Sequence, residues 1–116
     1  MSWTDLRVLT AQAVEAGAPV ANDFVTMNDF AEYVEIRFTP LTLAGGPTAV
    51  TFAIWRQDEG QIDKVSTVEV TSAQAPAPLA VIVYYQGAKI HGRVDSFTGG
   101  AGQTVTGTLQ FREIHL

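Results

Sequence analysis

The chain has 116 residues, enough for one domain with a single core. Its net charge is −5 with only 7 Lys plus Arg, so no basic stripe exists to neutralise a phosphate backbone, and nucleic acid is not an expected partner. Charged residues make up 16% and Cys is absent, which excludes a disordered polyelectrolyte, a disulfide framework and a thiolate metal site.

In chain order, the first residues, MSWTDLRVLTAQAV, lack a basic region followed by an apolar one and do not read as a signal peptide. No apolar run approaches the roughly 20 residues of a spanning helix, so no membrane partner is expected. LRVLTAQAVEAGAP fits a strand, although Leu6, Leu9 and Ala13 also sit at helical spacing. AGAP at 16–19 reads as a break. Residues 1–19 are therefore set apart as an N-terminal segment, an arm or a first strand, from a single β domain over 20–116. The segment is expected to serve attachment more than the core.

From there the dominant period is two. EYVEIRFT (32–39) places Val34, Ile36 and Phe38 on one face, and TAVTFAIWRQ (48–57) places Val50, Phe52 and Ile54 inward. VSTVEVT (65–71) aligns Val68 with Val70. KIHGRVDSF (89–97) sets Ile90 and Val94 opposite His91, Arg93 and Asp95. TVTGTLQFREI (104–114) sets Val105, Leu109 and Phe111 opposite a Thr-rich face. Such segments are half-buried strands. AGGP (44–47), DEG (58–60), QG (86–87) and GGAG (99–102) read as hairpin turns, because Gly supplies the positive φ of tight reversals. SAQAPAPL (72–79) carries two prolines and reads as a longer crossing between sheets. The fold expected is all-β: an antiparallel β-sandwich, jelly-roll-like, of about seven or eight strands joined by glycine hairpins.

Residues with chemical potential are few. The glycine run at 99–102 is not a phosphate loop, since Gln103 stands where Lys is required and a strand pattern follows instead of a helix. Asp58 and Glu59 are adjacent on a turn and point apart. His91 and His115, with Asp95, are a conceivable metal set, but polar-face histidines on strands are ordinarily solvated. No serine sits in a nucleophile elbow. The expectation is a protein that is not an enzyme and holds neither a metal nor another cofactor.

The surface is more informative. PLAVIVYY (78–85) is apolar on both faces, and Ala53 and Trp55 repeat the anomaly opposite the core face of 48–57. If these strands are neighbours, Trp55, Ile82 and Tyr84 form an apolar patch suited to association, unless the N-terminal segment covers it. With Tyr33, and with Trp3 ahead of the first strand as a further anchor, the expected interface is Trp3, Tyr33, Ala53, Trp55, Ile82 and Tyr84.

The succession VTMNDFAEYVEIRF, AVTFAIWRQDEG and GRVDSFTGGAGQTVTGTLQF, over roughly residues 20 to 114, resembles the small β-sandwich virion proteins of tailed bacteriophages. Those include capsid decoration proteins and related head or tail accessory domains. The resemblance implies a non-enzymatic structural protein of the virion, assembled in the host cytoplasm. It further implies a homo-oligomer, commonly a trimer, attached to a lattice such as one of major capsid protein. The alternative is a carbohydrate-binding module, in which Trp55, Tyr33 and Tyr84 form a stacking platform for a glycan.

Overall fold

Alternation of β-branched or aromatic residues with polar ones makes each segment a strand with one face to bury. The computed structural model describes residues 3–114, with only the backbone described for Asn28 and Asp29. It contains β1 (Thr4–Gln12), β2 (Val25–Phe38), β3 (Thr42–Ala44), β4 (Ala49–Asp58), β5 (Gln61–Thr71), β6 (Leu79–Thr98) and β7 (Thr104–Ile114). A single 3-10 turn at Ala21–Asp23 is the one helical element among the described residues. The expected all-β antiparallel architecture is therefore what the chain adopts. Its strands form one continuous sheet in the order β1-β7-β2-β6-β4-β5, with β3 also pairing β7. The sheet curls, and this curl encloses the core that two packed sheets were expected to enclose. Phe38 of β2 and Phe52 of β4 meet inside it, ring centroids 5.0 Å apart. Val34, Ile36, Ile54, Ile90, Val94, Val105 and Leu109 fill the space around them.

β6 is the strand around which the sheet turns. Its residues 79–87 pair with β2 alone, Lys89 and Ile90 pair with both β2 and β4, and its residues 91–98 pair with β4. The change of partner falls at QG, where Gln86 takes a φ of 57°. This dipeptide was expected to close a hairpin. It bends one long strand instead. Arg56 of β4 braces the bend by donating to the carbonyls of Tyr85 and Gln86 at 3.3 and 3.4 Å. Inside the bend the Tyr85 hydroxyl lies between the carbonyls of Trp55 and Lys89, and burial raises this phenol above its ordinary range.

Of the four expected hairpins one forms. Asp58 faces Gln61 across Glu59 and Gly60, whose φ values of 48° and 82° match the left-handed pair that suits the strand twist. AGGP links β3 to β4, which are not neighbours, and GGAG links β6 to β7, which have β2 between them. These two glycine loops pack on each other. The Ala101 N–H donates to the Gly45 carbonyl at 2.9 Å, and a Cβ on Gly100 would stand 2.3 Å from that same oxygen. Gln103 donates to the Gly99 carbonyl at 2.7 Å. The glycines thus serve close approach of two backbones. The 72–78 connection, expected to pass between two sheets, instead crosses within one sheet, from edge strand β5 past β4 to the part of β6 that pairs with β2.

Of the two readings of residues 1–19, an arm or a first strand, the strand forms as β1, and it is a core element where attachment was expected. β1 pairs with β7, and Leu6 and Leu9 are buried in the common core. The AGAP break at 16–19 lies after this strand, on the way to β2.

Candidate functional site: the two outer faces of the curled sheet

The outer face of β7, β2 and the first half of β6 is built from rungs. Ile114, Tyr33 and Tyr84 form one, Arg112, Glu35 and Ile82 the next, and Gln110, Arg37 and Ala80 a third. Toward β1 the polar groups satisfy one another. The Arg112 Nε donates to Glu35 at 2.6 Å, Arg37 Nε to Gln110 at 3.0 Å, and Gln110 to Asp5 at 2.9 Å. The Trp3 ring lies against both guanidiniums, 4.2 Å from Arg37 and 4.5 Å from Arg112, so cation–π contacts join it to this ladder. Toward β6 the face turns apolar. Tyr33 and Tyr84 meet edge to face at 5.4 Å, and Ile82 and Tyr84 remain 64% and 58% exposed. Gln86 donates to the Tyr84 hydroxyl at 2.7 Å and fixes the ring's outer end. Trp3, Tyr33, Ile82 and Tyr84 therefore share one face, as the expected interface required.

Ala53 and Trp55 do not join them. β4 pairs with the second half of β6, so Trp55 stands opposite His91 and Ala53 opposite Arg93, whereas Ile82 and Tyr84 stand opposite Glu35 and Tyr33. Ala53 is 0% exposed and Trp55 partly buried. The expected Trp55–Ile82–Tyr84 patch and the Trp55–Tyr33–Tyr84 platform are both divided by the bend at Gln86. Strand periodicity carried no sign of that bend.

The second outer face is covered, in part by residues 13–24. His91, read as a solvated polar-face residue, is 3% exposed. Its Nδ1 lies 3.1 Å from the Asp23 carbonyl and its Nε2 accepts from Arg93 Nε at 3.1 Å, which sets the Nδ1–H tautomer. Phe24 packs on the ring at 5.7 Å between centroids. Burial first, then the Arg7 and Arg93 guanidiniums, push the imidazole down to about 4 against a smaller opposing pull from Asp23. Arg93 also donates to the Gly17 carbonyl at 3.2 Å and approaches the Asp23 carboxylate at 3.4 Å. Arg7 grips Glu15 through two bonds of 3.1 Å and the Gly92 carbonyl at 2.8 Å. Glu15 in turn exchanges two bonds of 3.0 Å with Val94, closing the free edge of β6. Of the conceivable metal set, His115 lies outside the described residues, and Asp95 pairs with Lys64 at 3.7 Å. Among the described residues no three metal-ligating side chains gather.

One cleft of about 510 Å³ opens between the 40–47 and 72–76 loops, lined by Pro40, Leu41, Leu43, Pro47, Ala75 and Pro76 among others. No titratable side chain lines it. Comparison with protein-family models, with curated proteins and with solved structures finds no match to this chain.

Proposed function

We propose that the protein is a non-enzymatic structural component of a virion, a capsid decoration or head or tail accessory protein. It associates with copies of itself and with a protein lattice through the outer face of β2 and the first half of β6. The observation carrying this reading is the apolar centre of exposed Ile82 and Tyr84 with half-buried Tyr33 beside them, flanked by rungs whose charges are already paired. An aromatic centre with a polar surround is the composition in which association energy concentrates. Leaving Ile82 and Tyr84 in water forgoes roughly 1.5–3 kcal/mol for each large side chain that burial would gain. Closed symmetry is the rule for identical subunits, and the number three comes from the resemblance to tailed-phage virion proteins.

Native mass spectrometry of the purified chain tests the reading. A discrete closed oligomer, a trimer above all, is the expected result. A monomer throughout the high micromolar range would remove self-association. A glycan array provides the second arm. Binding of a defined sugar that Tyr84→Ala abolishes would replace the lattice reading with the carbohydrate one.

A further inference from the structure

Residues 13–24 run mostly exposed between β1 and β2, yet their described polar attachments to the sheet converge on one place. Glu15 meets Arg7 and Val94, Gly17 meets Arg93, and Asp23 meets both Arg93 and His91. The charges facing His91 come from every side. Arg7 reaches it from β1, Arg93 lies two residues along β6, and Glu15 and Asp23 come from the crossing segment. Trp55 of β4, which does not titrate, stands opposite, and the Lys64–Asp95 pair lies further along that outer face. Two guanidiniums and two carboxylates cancel only while the ring is neutral. The Nε2 lone pair is also the acceptor for Arg93, with the Arg7 Nη1 at 3.5 Å.

The geometry points to a latch: residues 13–24 are held against β6 by neutral His91, and protonation of that ring releases them, baring His91 and the β6 edge at Val94. A proton on Nε2 removes the acceptor of the Arg93 Nε–H and directs the ring's second N–H at two cations in a buried site. The cluster then carries an uncompensated positive charge. Moving the sheet would break the core, because Val94 and Ile90 flank His91 on the inner face. Moving the segment breaks the contacts named above and the packing of buried Pro19 and half-buried Phe24, neither of which belongs to the core cluster, so the segment is what yields. This inference is independent of the association surface on the first half of β6.

Amide hydrogen exchange measured by NMR between about pH 7 and pH 4, alongside the His91 ring resonances, tests it. The Glu15 amide, which donates to the Val94 carbonyl, is expected to lose protection by about tenfold or more as the His91 ring titrates, while β4 amides stay protected. His91→Gln offers a donor and an acceptor without a charge change, and is expected to keep Glu15 protected through the same range. Protection that survives titration of the ring overturns the latch. So does the same loss in His91→Gln, which would assign the release to the carboxylates. Should that variant not fold, coincidence of the two wild-type midpoints decides alone.

Discussion

The two halves of β6 have opposite fates. LAVIVYYQG, the first, leaves Ile82 and Tyr84 on an open face, whereas KIHGRVDSF, the second, buries His91 and half-buries Arg93 beneath a crossing segment. Apolarity alone would have assigned the cover the other way. A crossing segment carries backbone carbonyls and carboxylates, and these need donors. Arg7, Arg93 and His91 supply donors, so the polar half holds a strap. The Tyr33–Tyr84–Ile82 half offers a crossing backbone almost none, and only another apolar surface can cover it favourably.

The largest effect that separates the halves is removal of residues 1–12. It deletes Leu6 and Leu9 from the core and Arg7 from the strap, and cavity losses of about 2–5 kcal/mol per leucine would consume most of an ordinary domain's stability. Circular dichroism melts should show loss of the cooperative transition. A truncated chain that still melts sharply would return residues 1–12 to the role of an arm.

Acid should weaken the strapped half next. His91 is held down to about 4 in the folded chain against 6.5 when unfolded, so between those values the unfolded chain binds the extra proton. Its contribution is complete above about pH 6.5 and is lost as pH falls toward 4, on the order of 3 kcal/mol over the window. Urea titrations of wild type and His91→Gln at stepped pH would show this as a slope that the variant lacks.

Arg93→Ala should cost about 2–3 kcal/mol, because it strips the acceptor atoms of His91 and Gly17 of a charged donor. Tyr84→Ala, on the open half, should cost the monomer less than about 1 kcal/mol. Equal costs for the two, measured by urea unfolding at low protein concentration, would mean that the halves do not differ in the way described.

Much of this was legible in the sequence. The period of two located the inward faces of β2, β4, β5, β6 and β7, because one dry and one wet face write that pattern directly. Glu59–Gly60 was legible as a turn, since its geometry is local. The bend at Gln86 was not, because two strands meeting end to end and one strand changing partners have the same alternation. Trp55 was accordingly placed beside Ile82 and Tyr84. The His91 cluster was hidden for a related reason. Arg93 read as an ordinary polar-face residue, nothing local singles out Arg7, Glu15 or Asp23, and only a crossing segment, set by tertiary contacts, makes them partners. The glycine loops at 44–47 and 99–102 were recognisable as turns but not as each other's packing surface.

The proposed association through the outer face of β2 and the first half of β6 is most directly tested by light scattering on wild type and Ile82→Asp at matched high micromolar concentrations. Ile82 points away from the core, so an aspartate there leaves the fold intact and sets an unpaired charge beside Tyr84 and Glu35. The expected result is an oligomeric mass for wild type and a monomer mass for the variant, with superimposable circular dichroism spectra. A variant that keeps the wild-type oligomeric mass, or a wild type that is itself monomeric, would contradict association through this face.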